Sequence, residues 1–235
     1  SHTADAAIAK KLRTDRITSK FTLDDHGVQR PFYIKRHGRS SWKEYLKPLL
    51  RLTWPILGAR NEWNAIIDFH EIGLPTMTPV AFGESGSDSF LITESIENCD
   101  KLSDLLADSK KSPTPPLALR QISVRVANLA RTMHSAGLHH QDFYLGHLMQ
   151  SQKNPEAIYI IDLGRVHKQT HLSQRWIIKD LAQLNFSAST VPLFQRLRFL
   201  REYLGRPLTD KDRHLMARIQ LKTNAIARHS RKNRL

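Results

Sequence analysis

The sequence predicts an α+β protein of two lobes, a small sheet-rich one followed by a larger helical one. Three observations carry this. Strand-like runs with turn signals crowd the first hundred residues. A proline-rich stretch, SKKSPTPPL (109–117), then stops both helix and ladder. After it, helical periodicity dominates to the end. The expected lobes are therefore 1–108 and 109–235, and a junction between two lobes is a natural ligand site.

The elements follow in order. RITSKFTLDDHGVQRPFYIKRH reads as a β-hairpin, two β-branched and aromatic runs around Asp-His-Gly. SSWKEYLKPLLRLTWPILGA is amphipathic and basic, interrupted by Pro48 and Pro55. RNEWNAIIDFHEIG spaces Trp63, Ile66, Ile67 and Phe69 as a short helix that stops at Gly73. TPVAFGE and DSFLITESI read as two more strands. ALRQISVRVANLARTMHSAGL is a helix with an apolar set of Ile122, Val126, Leu129, Ala130 and Met133, and Gly137 as its C-cap. A loop, HHQDFYLGHLM, follows. AIYIIDLG reads as a strand carrying Asp162 at its end, and SQRWIIKDLAQLNFSA as a helix. The remainder reads as helices broken near Gly205 and Pro207.

Composition is ordinary for a globular chain of 235 residues, with 40% hydrophobic and 25% charged residues. No run of eighteen apolar residues occurs, so no transmembrane helix is expected. The N-terminus lacks an apolar h-region, so no signal peptide is expected. Cys99 is the one cysteine, which excludes an internal disulfide and any multi-cysteine metal site and suits a reducing cytoplasm. The net charge of +14 favours polyanionic partners. Residues 211–235 hold eight Lys/Arg against Asp212, and 35–60 hold seven against Glu44. Each run reads either as a solvated face or as a contact. In 35–60, Trp42, Tyr45, Leu46, Leu49, Leu50, Trp54 and Ile56 interleave with the bases. That pattern suits either a packed insertion or an anionic membrane surface.

The chemistry concentrates on a few positions. Asp142 lies on a loop and Asp162 at a strand end before Leu163-Gly164. Two such aspartates suit phosphoryl transfer, one accepting the proton of the attacking hydroxyl and the other holding Mg²⁺ against phosphates. Upstream, Lys35 lies on a strand and Glu62 on the next helix. A buried lysine needs a counter-charge, and this pair could meet the α- and β-phosphates. Each residue alone is weak; the order Lys, Glu, His-x-Asp, Asp-x-Gly is much less expected by chance. A zinc site from His139, His140, Asp142 and His147 is nominally available, but no H-E-x-x-H spacing supports it. His140 is expected to hydrogen-bond backbone and fix the loop.

On these residues the sequence resembles the lipopolysaccharide core kinases of the InaA/WaaP type, relatives of the protein-kinase-like fold. The resembling segments are YIKRH (33–37), ILGARNEWNAI (56–66), GLPTMTPVAFGE (73–84), HHQDFYLGHLM (139–149), IIDLGR (160–165) and RWIIKDLAQLNFSA (175–188). The resemblance implies an ATP- and Mg²⁺-dependent transfer of phosphate to a sugar, a heptose, of the lipopolysaccharide inner core. Lys35 would bind phosphates and Glu62 pair with it. Asp142 would be the catalytic base and Asp162 the metal ligand. Glu94, at the end of DSFLITE, joins Lys35 and His147 as a cofactor-binding position. His147 falls where protein kinases place the metal-binding Asn; it either ligates the metal or donates a hydrogen bond to phosphate or to the metal's water. Asp180 looks like the buried aspartate that braces the catalytic loop. Implied partners are lipopolysaccharide core or lipid A-core and an anionic membrane surface, with no nucleic acid. The implied place is cytoplasmic, peripheral at the inner membrane.

Two features depart from the kinase pattern. No G-x-G-x-x-G is present, only Gly27 at the hairpin turn, and Asp-Phe-Gly is replaced by Asp162-Leu163-Gly164. The alternatives are a Kdo-type or other small-molecule kinase of the same fold, or an inactive kinase-like or nucleic-acid-binding protein. The last leaves the order of Lys35, Glu62, Asp142 and Asp162 unexplained, and no helix-turn-helix or zinc-finger spacing is visible.

Overall fold

A computed structural model describes residues 16–38, 58–107 and 114–232. The basic stretch with Trp42 and Trp54, and most of the proline-rich stretch, lie outside these residues. The chain divides into two units. The first takes the described residues up to Asp68 together with Met77–Ile96, and the second takes Phe69–Thr76 and the chain from Glu97.

The first unit is an antiparallel sheet in the order β1-β2-β4-β3. Strands β1 (Arg16–Asp25) and β2 (Val28–His37) form the expected hairpin. Its two turn residues, His26 and Gly27, both have positive φ, as a tight two-residue turn requires. Asp24 Oδ1 accepts the Gly27 N–H at 2.8 Å and closes the turn. Strands β3 (Pro79–Ser85) and β4 (Asp88–Glu94) complete the sheet, with Lys35 of β2 paired to Leu91 of β4. Helix α1 (Arg60–Glu71) follows the sequence reading, buries Ala65, Ile66 and Phe69, and carries Glu62 in its first turn.

The second unit holds α2 (Leu102–Ala107), α3 (Pro116–Ser135), α4 (Gln174–Ser187), α5 (Leu193–Leu204) and α6 (Arg213–Lys232). Pro116 opens α3, where a missing N–H costs nothing. Ile122, Val126, Ala130 and Met133 of α3 are buried as expected, while Leu129 is only half-buried. The C-cap is Ala136 rather than Gly137. Gly137 is the residue after it, at φ 78°, and a Cβ there would stand 2.1 Å from the Gln169 carbonyl. Glycine is thus required twice over, by the left-handed turn and by the close approach. The core of α4, α5 and α6 is Ile178, Leu181, Ala182, Leu200 and Ile219.

Short strands finish this unit: β5 (Cys99–Lys101), β6 (Leu138–His139), β7 (Leu148–Ser151), β8 (Ile158–Ile160) and β9 (His167–Lys168). They pair as β5-β7-β8 and β6-β9. The strand expected to end on Asp162 ends at Ile160 instead. The Ile161 N–H leaves the ladder for the His147 carbonyl at 3.0 Å. Asp162 then takes a left-handed conformation, φ 61° and ψ 55°, and leads into the 3₁₀ turn Leu163–Arg165. Aspartate tolerates this region better than most residues. Among the described residues no helix is long and apolar enough to cross a membrane.

One histidine shapes the acid response of this unit. His139 is 1% exposed, and its ring stacks on Trp176 with centroids 4.5 Å apart and on His167 at 6.0 Å. Neither ring nitrogen has a hydrogen-bond partner among the described residues. Burial pushes this imidazole down to about 4, against the pull of Asp180. Burial also lowers His140 and His167. The unfolded chain takes up these protons near pH 6.5, and the folded chain does not. Stability therefore falls as pH drops below about 6.5, and these groups have no effect above it. His139 alone should cost about 2 kcal/mol at pH 5. Urea unfolding at pH 7 and pH 5 should show the wild-type midpoint falling clearly further than that of His139→Phe, which keeps the stack and cannot be protonated. Equal falls would show that another group takes up the proton.

Candidate active site

In the first unit, Lys35 Nζ donates to Glu62 Oε1 at 2.6 Å. Glu62 is only 2% exposed. Its place in the first turn of α1 suits a carboxylate, because the unpaired N–H groups there are partly positive. The strand and the helix thus each supply the charge that the other needs, as the sequence order predicted. Glu94 closes β4, with its N–H donating to the Thr78 carbonyl at 3.0 Å. Its carboxylate accepts from Arg30 Nη2 at 2.6 Å, so the side chain is engaged within the sheet.

In the second unit, the loop after β6 lacks a ladder, so its amides need other acceptors. Six consecutive N–H groups find them. His140 and Gln141 donate to Oδ2 and Oδ1 of Asp180 at 2.7 and 2.9 Å. Asp142 donates to His140 Nδ1 at 3.3 Å, and Phe143 to Gln183 Oε1 at 3.1 Å. Tyr144 donates to the Asp142 carbonyl at 2.9 Å, and Leu145 to Ser187 Oγ at 2.9 Å. Asp180, Gln183 and Ser187 follow helical spacing along one face of α4. Gln141 itself is held at φ 69°, a strained position for its residue type.

Asp180 is fully buried. Burial would raise its carboxyl, but the hydrogen bond from His134 and the N–H of His140 outweigh that and hold it below the usual range. This is the bracing arrangement expected of Asp180. His140 meets its expectation too. Its Nε2–H donates to the Ile161 carbonyl at 3.1 Å while Nδ1 accepts the Asp142 N–H. One buried neutral ring therefore staples the residue before Asp162 to the backbone of Asp142.

His147 ends the 3₁₀ turn Leu145–His147. Its Nδ1 lies 2.7 Å from the Asp142 carbonyl oxygen. A carbonyl can only accept, so Nδ1 carries the proton, and in the neutral ring Nε2 presents a lone pair. That lone pair lies 3.7 Å from Asp162 Oδ2. Two acceptors facing one another suit a cation between them. Two protein ligands, completed by phosphate and water oxygens, fit the way proteins hold Mg²⁺. No larger cluster of metal-ligating side chains occurs among the described residues, and His139 stacks away on Trp176, so the nominal zinc set is not assembled.

Sequence reasoning missed four residues here. Gln183 and Ser187 had a signal, polar residues in step with Asp180 along one face of the helix. Arg165 and Lys179 had none. Arg165 Nη1 lies 3.0 Å from both carboxylate oxygens of Asp142. Lys179 Nζ donates to Gln141 Oε1 at 3.1 Å over the Trp176 ring. Burial first, and Arg165 second, push Lys179 down to about 8.

Comparison with known proteins identifies the family. The family described as "Lipopolysaccharide kinase (Kdo/WaaP) family" matches residues 3–214. The lipopolysaccharide core heptose(I) kinase WaaP of Pseudomonas aeruginosa is 38% identical over 207 residues, 83% of this chain and 76% of that protein. Its namesake in Escherichia coli is 35% identical over 239 residues, 95% of this chain and 88% of that protein. The solved structure of WaaP in complex with acyl carrier protein superposes with a TM-score of 0.72 at 32% identity, covering 91% of this chain and 86% of that one. The α+β kinase-like fold expected from the sequence is thereby established, and the chain belongs to the lipopolysaccharide kinase (Kdo/WaaP) family.

Proposed function

We propose that this chain transfers the γ-phosphoryl group of ATP to a heptose hydroxyl of the lipopolysaccharide inner core. The observation that carries the reading is the joint placement of Asp142, His147 and Asp162 by His140 and the Asp142 carbonyl. The names of the relatives favour heptose over Kdo as the acceptor. In this reading the acceptor hydroxyl oxygen attacks the γ-phosphorus, its proton passes to Asp142, and the bond to the β-phosphate oxygen breaks to leave ADP. Asp162 and His147 would hold Mg²⁺, which would supply neutralising charge at the phosphate oxygens. Lys35, steadied by Glu62, binds phosphates. Glu94 marks the cofactor end of β4, its carboxylate already committed to Arg30. An ATP-using enzyme on this substrate belongs at the cytoplasmic face of the inner membrane, and the charge of +14 suits anionic lipopolysaccharide and an anionic surface. A partner of the acyl carrier protein class fits the complex solved for the relative.

Asp142→Asn should lower kcat by about 10²–10⁴-fold while Mg²⁺-ATP still binds. Retention of more than about a tenth of wild-type transfer to core oligosaccharide would remove Asp142 as the base. Lys35→Ala should lower kcat more than it weakens ATP binding, because the ammonium works on the transition state. Glu62→Gln should reproduce most of that loss, since the lysine loses its counter-charge. A rise in KM for ATP with kcat intact, measured by steady-state kinetics, would sink the phosphate-clamp role.

His147→Asn tests the metal. An imidazole nitrogen is a softer ligand than oxygen and leans towards Mn²⁺. The Asn variant should keep part of its activity and shift its Mn²⁺/Mg²⁺ preference towards Mg²⁺. An unchanged preference in parallel assays with the two ions would leave His147 a loop residue that touches no metal.

A further inference from the structure

Between Asp162 and Asp180 the chain reads LGRVHKQTHLSQRWIIK. Arg165, Lys168, Arg175 and Lys179 stand there with two histidines and no acidic residue. Arg165 and Lys179 of this segment converge on the catalytic loop, and the contact of Arg165 raises a chemical difficulty. A single guanidinium nitrogen that donates to both oxygens takes up one lone pair on each and stands between them, where it competes with an incoming hydroxyl. In this state Asp142 is capped.

The cap is built to come off. The Arg165 side chain is 48% exposed, and an ion pair that open to water holds only weakly. Lys179 is held more firmly, by Gln141 Oε1 and by the Trp176 face. Asp180 spends both its oxygens on the loop amides, so it does not serve as a full partner for either cation. Two neighbouring cations with one shared carboxylate are under-neutralised, and a second anion arriving between them relieves that repulsion.

We infer that Arg165 and Lys179 form the anion subsite of the acceptor, taking a carboxylate or phosphate group borne near the hydroxyl to be phosphorylated, and that Arg165 leaves Asp142 when this anion binds. The inference rests on the kinase reading above. It couples the release of the base to the arrival of an acidic sugar. Water carries no such anion, so Asp142 stays capped against it and ATP hydrolysis is suppressed. Arg165 exchanges one anionic partner for another, so the swap costs little, while only the right acceptor can drive it. Specificity is gained because an acceptor without the anion leaves the guanidinium where it blocks the base.

The test uses the full chain and Arg165→Gln, with core oligosaccharide in three forms: intact, with carboxylates reduced to alcohols, and with phosphates removed. Two rates are read, transfer to the acceptor and ATP hydrolysis without acceptor. The variant should lose about tenfold or more in kcat/KM on the intact acceptor, the scale of one charged hydrogen bond. On the form that lacks the recognised anion, the variant should show no loss and should match or exceed wild type, because its base is already uncapped, and that form identifies the group as carboxylate or phosphate. Hydrolysis without acceptor should rise in the variant, because its base is uncapped. Arg165→Lys should recover part of the selectivity, and Lys179→Gln should repeat the acceptor loss. Equal losses on all three acceptors overturn the subsite. So does a loss confined to the KM for ATP with slower hydrolysis, which would assign the guanidinium to the nucleotide. Absence of transfer by the wild-type chain to every form removes the kinase reading itself, and the subsite with it.

Discussion

The active loop depends on one buried carboxylate. Asp180 accepts the N–H groups of His140 and Gln141. Burying an ion without partners costs several kcal/mol, so Asp180 is tolerable because those donors, together with His134, are there. The donors in turn are aligned only because the chain bends sharply at Gln141. Each feature makes the other affordable. The loop therefore has one geometry, set by a helix that carries no reacting atom.

The same logic extends along α4. Gln183 and Ser187 continue what Asp180 begins, and the loop needs no regular secondary structure of its own. Helix α4 is anchored by Ile178, Leu181 and Ala182 in the apolar core. The precision of the site is thus drawn from packing on the far side of a helix. A loop held this way can present Asp142 with little reorganisation, which is the condition for effective proton transfer.

How much of this was legible follows from what each feature depends on. The hairpin, the helix bearing Glu62 and the helix before the loop declare themselves through turn residues and apolar spacing. The pairing of Lys35 with Glu62 was legible as a need, since a strand lysine in a sheet wants a counter-charge. The strands β5, β6, β7 and β9 were not, because two to four residues are too few to show a period. Asp162 was placed on the strand because AIYIID is continuously apolar; the hydrogen bond that pulls Ile161 out of the ladder leaves no mark in the sequence. Arg165 closes IIDLGR, and nothing in the sequence marks a task for it. Its meaning lies in the distance to Asp142, which depends on how the β7–β8 hairpin returns the chain.

His147 shows why the tautomer matters as much as the residue. Protein kinases use an amide at this position, whose oxygen can ligate whichever way its nitrogen is employed. An imidazole can ligate only through a nitrogen that has no proton. Here the carbonyl of Asp142 claims the Nδ1 proton and leaves Nε2 open towards Asp162. In the proposed mechanism Asp142 thus acts twice, through its side chain as the base and through its main chain as the group that orients His147. The two tasks are separable, because a change of side chain leaves the carbonyl in place. In that mechanism the base and the imidazole that would face the metal are therefore held in register by the backbone of a single residue.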